Sequence, residues 1–183
     1  LFKRPLATMA LAILRQEGKP IPLQYEHVIC VSGYVRQRLV EQGLIPSSAV
    51  VVHNGVNVEH FTSVRPRRAF DERLALLCAG RLEPDKGVHH VIEALALLSN
   101  AQRDRMAHLD VVGDGNPAYV THLRSLVAEH DLGQQIRFHR PVEREQMPQL
   151  LDAYDALVQP SVLEALSRMV QEAMATGLLV IGT

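Results

Sequence analysis

The sequence predicts an α/β fold, a doubly wound parallel sheet with helices on both faces. Three observations lead there. Apolar runs of strand length alternate with helix-period segments along most of the 183 residues. The runs are continuously apolar, as strands buried on both faces require. Glycine-rich and charged segments follow strands and open helices, where such sheets gather ligand contacts, which makes the arrangement Rossmann-like. The stretch TSVRPRRAF, with proline and three arginines and no periodicity, reads as a linker. Residues 1–63 are then the tail of one α/β domain, 64–71 the linker, and 72–183 the opening five strands of a second, incomplete domain.

The elements follow in order. Leu6, Met9, Ala10, Ile13 and Leu14 obey i, i+3, i+4, i+7, i+8 spacing, Gly18 supplies a stop and Pro20 follows it, so the first segment reads as a capped amphipathic helix. Lys3 and Arg4 before a short apolar run imitate a signal peptide, but the run is too short to span a bilayer. Next come strand HVICVS, helix 34–42 and strand AVVVHNGV. Beyond the linker come LALLCAG, helix 86–98, LDVVGD, helix 118–130, IRFHR, helix 145–153, ALVQPS, helix 167–176 and LLVIGT. Helix 86–98 is the clearest case: Val88, Val91, Ile92, Leu95 and Leu98 form one apolar stripe, with His89, Glu93 and Asn100 outside it. A chain that opens on Leu1 and closes inside an apolar run reads as a piece of a longer protein.

Composition narrows the function. Nineteen basic against twenty acidic residues, four Tyr, four Phe and no Trp leave neither a basic face nor a stacking platform, which argues against nucleic acid. Cys30 and Cys78 lie inside apolar runs, where a thiol serves as a small buried hydrophobe in a reducing cytoplasm. The nine histidines are scattered, adjacent His89 and His90 diverge on a helix, and no Asp-x-Asp segment is present, so no metal site is expected.

Five segments map to the carboxyl edge of the second sheet: Gly80 to Gly87, Gly113 to Asn116, His139 to Val142, Pro160 to Ser167, and Gly182-Thr183. Arg81 offers a planar fork for phosphate oxygens, and Lys86, at a helix start, adds a compact charge from another side. With helix N-terminal amides nearby, the pair reads as a diphosphate seat. Glu164 is placed in a loop and Glu172 inside a helix, so both line one cleft at different depths and can grip vicinal hydroxyls of a ribose or hexose. The N–H groups of Ala165, Leu166 and Ser167 would face the phosphate. Each pair has a bland alternative, a solvated ion-paired loop or chance spacing; it is their coincidence on one edge that favours a site.

These residues carry a resemblance. HVICVS, VVHNGVNVEHF, GRLEPDKG, the VVGDG turn, IRFHRPV and EALSRMVQEAMATGLLVIGT together resemble the retaining glycosyltransferases of the GT-B fold, family GT4, over residues 27–183. The resemblance implies that Arg81 and Lys86 bind the diphosphate of a nucleotide-sugar donor and Glu172 the ribose hydroxyls. Glu164, with the amides of Ala165, Leu166 and Ser167, would hold the transferred sugar. The loop His139, Arg140, Pro141, Val142 would face the base through backbone atoms, and Gly80, Gly113 and Gly115 would form the tight turns. Glu164 is the catalytic candidate, either as nucleophile or as orienting group. It further implies a hexose moved with retention to a hydroxyl acceptor, such as a glycan, lipid-linked sugar or small molecule, without metal or cofactor. The protein would be cytoplasmic or at the cytoplasmic face of a membrane, with peripheral association through the preceding acceptor domain. Two departures stand out: Glu164-Ala165-Leu166-Ser167 replaces the family's usual Glu-Gly-Phe-Gly, and Gly177-Leu178-Leu179-Val180 lacks its proline.

Two other readings compete. Gly113-Asp114-Gly115-Asn116-Pro117-Ala118 fits the G-x-G-x-x-G/A form of a dinucleotide-binding oxidoreductase, and Arg140 at the end of the next strand would suit a 2′-phosphate. The third reading is a non-catalytic nucleotide-sugar-binding subunit.

Overall fold

The structure is a computed structural model that describes residues 27–62 and 73–183. The helix expected over residues 6–14 and the linker 64–71 lie outside the described residues. The chain forms two compact units, Leu1–Gly55 with Glu164–Ser167, and Val56–Leu163 with Arg168–Thr183.

In the first unit, β1 (Ile29–Cys30) runs parallel to β2 (Val50–Val51), with α1 (Gly33–Glu41) between them in sequence. The expected strands are longer than these ladders, because β1 and β2 pair over two residues each. Ser32 caps α1, its hydroxyl accepting from Val35 N–H at 3.3 Å. Val28, Cys30, Leu39, Leu44, Ile45 and Ala49 pack beneath. Arg36 Nε donates to the Ala49 carbonyl at 2.6 Å and ties α1 to the start of β2.

The second unit contains β3 (Leu74–Ala79), α2 (Val88–Ala96), α3 (Asn100–Arg103), β4 (Met106–Val112) and α4 (Pro117–Glu129). It continues with β5 (Ile136–His139), α5 (Met147–Asp152), β6 (Ala156–Gln159), α6 (Arg168–Ala175) and β7 (Leu179–Gly182). The five strands are all parallel, in the order β5-β4-β3-β6-β7. One face packs Cys78, Leu109, Val111 and Ile136 against Ile92 and Leu95 of α2 and Leu123 and Val127 of α4. The other packs Ala75, Leu77, Val112 and Leu157 against Leu151 of α5 and Ala173 of α6. Period-2 alternation along strands covered on both sides produces this division. A bulge at Leu74/Ala75 shifts the β3–β4 register by one residue.

The chain winds outward from β3 through β4 to β5, then returns to the other side of β3 as β6 and β7. The helices that follow β3 and β6 therefore cover opposite faces, α2 on one and α6 on the other. The crevice outside the carboxyl ends of β3 and β6 is the topological switch point, where open α/β sheets bind ligands.

Three elements differ most from expectation. Helix 86–98 begins at Val88, preceded by a 3₁₀ turn Pro84–Lys86 and by Gly87 at φ 68°. Lys86 thus sits in a turn, not in the first turn of the helix. Helix 145–153 divides into a 3₁₀ turn Arg144–Gln146 and α5. The short α3 was not expected; Ser99 and Gln102 close a capping box around it. Among the described residues no helix is long and apolar enough to cross a membrane. Both cysteines are buried as expected. Burial pushes the Cys78 thiol up to about 12, and its Sγ lies 3.3 Å from the Val158 carbonyl oxygen.

Candidate functional site

The loops at the carboxyl ends of the five strands are laced together in the order of the strands, by their backbones except at β7. Gly113 N–H donates to the His139 carbonyl at 3.2 Å, joining the loops after β4 and β5. Gly80 N–H donates to Val112 O at 3.0 Å. Leu82 N–H donates to Asp114 O at 2.7 Å and Asn116 N–H to Leu82 O at 3.1 Å, around an isolated parallel bridge between Leu82 and Gly115. Val162 N–H donates to Asp85 O at 2.9 Å, fastening the turn after β3 to the loop after β6. Thr183 Oγ1 donates to Ser161 O at 3.0 Å and brings in the loop after β7. Gly80, Arg81, Lys86, Gly113, Gly115, His139, Pro160 and Ser161 thus share one rim.

The glycines make this lacing possible. A Cβ on Gly87 would collide with the Pro160 carbonyl oxygen, and one on Gly113 with the Gly80 carbonyl oxygen. A Cβ on Gly115 would fall 2.8 Å and 2.9 Å from the Leu82 carbonyl carbon and nitrogen. Such distances lie inside van der Waals contact, so any side chain there separates the loops. These contacts bear on the dinucleotide fingerprint. Its second glycine exists to let a pyrophosphate approach the backbone, but at Gly115 that approach is filled by Leu82. The helix amides it would offer are also taken, since Asn116 Oδ1 accepts from Ala118 N–H at 2.9 Å and Tyr119 N–H at 3.2 Å. The oxidoreductase reading fails on these contacts.

Arg81 is exposed at the start of the turn, and Lys86 is half-buried at its end. Among the described residues Arg81 makes no hydrogen bond or ion pair, so its guanidinium is available to an anion. The amides of the following helix are less available than the sequence implied. Tyr119 Oη, reaching across from α4, accepts from His89 N–H at 3.3 Å and lies 2.8 Å from His89 Nδ1. Burial, then the neighbouring His90, hold His89 below the ordinary imidazole value of 6.5, with Glu93 opposing and His122 assisting. The turn therefore presents cationic side chains more than helix N–H groups.

Glu172 lies inside α6 and is 8% exposed. Arg168, one turn earlier, places Nη2 3.5 Å from its Oε1. Glu164 stands in the loop before α6, half-buried, as the sequence placed it. The stretch Glu164–Ser167, with Ala165 and Leu166, groups with the first unit. α6 ends at Ala175; the hydroxyl of the next residue, Thr176, donates to Ala173 O at 2.8 Å, and Gly177 at φ 76° turns the chain into β7 without the family's proline.

A cluster that the sequence reading missed lies on the α5–α6 face, under the β5 end of the rim. Asp110, 4% exposed in the middle of β4, pairs in register with Arg137 of β5. Arg137 Nε and Nη2 donate to its two oxygens at 2.7 and 3.1 Å. Tyr154 Oη donates to Oδ2 at 2.6 Å, His139 Nε2 lies 3.3 Å from Oδ1, and His108 Nε2 lies 3.7 Å from Oδ2. Burial pushes the Asp110 carboxyl up, but hydrogen bonds from Arg137, Tyr154 and His139 and the proximity of His108 outweigh it and hold the group below its ordinary 3.8. The Tyr154 phenol is raised, first by burial and then by Asp110.

Known proteins share this architecture. The chain is 34% identical over 145 residues to a D-inositol 3-phosphate glycosyltransferase of Jonesia denitrificans, covering 72% of this chain and 34% of that protein. It superposes on sucrose-phosphate synthase from Thermosynechococcus elongatus with a TM-score of 0.71 at 22% identity, over 98% of this chain and 44% of that one. Anabaena HepE, solved in complex with UDP-glucose, gives 0.70 at 22% identity over 85% of this chain and 44% of the other. The chain therefore spans about a third of the length of the curated relative and under half of the solved chains. The fold class is α/β of the GT-B type. Residues 48–183, which include every strand of the laced rim, match the family described as glycosyl transferases group 1, and to that family this chain belongs.

Proposed function

We propose that this chain forms the nucleotide-sugar-binding part of a retaining glycosyltransferase, which moves a hexose from a nucleotide-diphosphate donor to a hydroxyl acceptor. The observation that carries the reading is the switch-point rim, with the Arg81–Lys86 turn fastened to the loop after β6. A departing diphosphate is the main developing charge in such a transfer, and preorganised cations stabilise it without a strong base. Arg81 grips two oxygens and Lys86 neutralises from the other end of the turn, so no metal is required of the protein. Glu172 accepts from the ribose hydroxyls, His139 to Val142 face the base, and Glu164 with the amides of Ala165, Leu166 and Ser167 hold the sugar. Residues 1–63 are read as the tail of an acceptor-binding domain, 64–71 as a linker and 72–183 as the donor domain, in a protein of the cytoplasm or the cytoplasmic face of a membrane.

Relatives and neighbours whose names specify UDP-glucose or inositol phosphate support the substrate class, not its members. The test is thermal melting of the full chain against UDP-, GDP- and ADP-sugars, since a ligand that binds the native state raises its midpoint. One sugar nucleotide should raise it and the free sugar should not. A panel without any nucleotide-dependent rise overturns the proposal.

A further inference from the structure

We infer that Asp110 is a positioning residue for the base loop, acting through His139; the inference rests on the reading of residues 139–142 as that loop. A charge in the middle of a strand covered on both faces is costly, and an apolar residue there would serve packing as well or better. Arg137 and Tyr154 already hydrogen-bond both oxygens of the carboxylate. The further contact, from His139 Nε2 to Oδ1, is the informative one, because it leaves the core and goes to the rim.

His139 is the last residue of β5 and the first of the loop. Its ring is held from below, Nε2 to Asp110 Oδ1 at 3.3 Å, and its carbonyl is held from the side by Gly113 N–H at 3.2 Å. A carboxylate only accepts, so it is the tautomer with the proton on Nε2 that lets His139 donate across this contact. With ring and carbonyl both fixed, the chain leaves β5 in one direction. Arg140 and Pro141, both exposed, then present their backbone from a set position. Backbone recognition of a base depends on that position more than on side-chain identity, which gives a buried aspartate control over base preference without touching the ligand.

The experiment is calorimetric titration of the full chain with UDP, GDP, ADP and inorganic pyrophosphate, for wild type, Asp110→Asn, His139→Ala and the double variant. Asp110→Asn and His139→Ala should each reduce the preference for the favoured base about tenfold, the scale of a hydrogen bond to a charged group. Pyrophosphate affinity should hold within about twofold, since the loop does not touch it. The double variant should be no worse than either single one, because the two act as a unit. His139→Gln, whose amide nitrogen can replace Nε2 as donor, should restore preference. Should Asp110→Asn fail to fold, Tyr154→Phe loosens the same carboxylate and should shift preference in the same direction. Additive losses, or equal loss for pyrophosphate and nucleotides, overturn the role of Asp110. A change of preference in His139→Ala without one in the Asp110 and Tyr154 variants overturns the inference alone. Absence of any effect in His139→Ala, or of nucleotide binding by wild type, overturns the base-loop reading and this inference with it.

Discussion

Gly115→Ala tests whether the rim is fused as described. The added methyl would sit 2.8 Å and 2.9 Å from backbone atoms of Leu82, with the Leu82 carbonyl oxygen nearer still. Gly115 is not among the residues at positive φ, so alanine incurs no conformational penalty and the whole cost is collision. The obstructing atoms are main chain, tied by hydrogen bonds at 2.7 and 3.1 Å, and cannot swing away as a side-chain tip would. Overpacking against a rigid neighbour costs about 1–3 kcal/mol. Gly133→Ala is the matched control: it lies in the same unit, also outside positive φ, with nothing within 4 Å of the added carbon. There alanine should stabilise by about 0.4–1 kcal/mol through the unfolded chain. In urea, with a slope of about 1–3 kcal/mol per molar, the Gly115 variant should unfold roughly 1 M earlier than wild type and the control slightly later. Nucleotide affinity should fall in the first and not in the second, since Arg81 adjoins the displaced Leu82. Equal midpoints for the two variants would refute the fused rim.

The other predictions concern charge. Arg81→Ala and Lys86→Ala should each weaken nucleoside diphosphate binding about tenfold or more and nucleoside binding little, read by titration against both ligands; equal losses would remove the phosphate role. Glu172→Ala should weaken ribonucleotides and leave 2′,3′-dideoxy analogues nearly unchanged, a comparison that fails if both suffer alike. Asp110 has a folded value below 3.8, so the unfolded chain takes up the proton first as pH falls. Its stabilisation is therefore complete above about pH 5 and lost as pH drops through the folded value. Urea midpoints between about pH 5 and pH 2 should decline more steeply in wild type than in Asp110→Asn; parallel declines would mean the carboxylate is not the acid-sensitive group.

The architecture was legible because parallel strands covered on both faces leave a continuous apolar trace, and LALLCAG and ALVQPS could be read at sight. The rim segments were legible because glycine and charge interrupt those traces at one end. Pairings across strands were not. Asp110 sits inside LDVVGD, which reads as an ordinary apolar run, and its partners Arg137 and Tyr154 lie 27 and 44 residues away, so only the register reveals them. Tyr119 reads as one member of a helix, and its hold on His89, 30 residues earlier, needs the packing of α4 on α2. The apolar stripe begins at Val88, where α2 does start, but placing Lys86 at the helix start overlooks Gly87, whose left-handed φ ends the 3₁₀ turn and separates it from the helix. The short α3 did leave a signal: Ser99 followed three residues later by Gln102 is a capping pattern within the sequence itself.

The lacing of the rim is made almost wholly by peptide groups. Peptide groups are the same whatever residue carries them, so the side chains of Arg81, Asp114, Arg140 or Val162 can be exchanged in evolution without unpicking the seam. Only the glycines, whose missing carbon lets the strands' ends touch, are bound to their identity. A scaffold of this kind can vary its outward side chains through drift at a few positions while its frame stays in place. That is one physical reason why chains only 22% identical to this one superpose on it so closely.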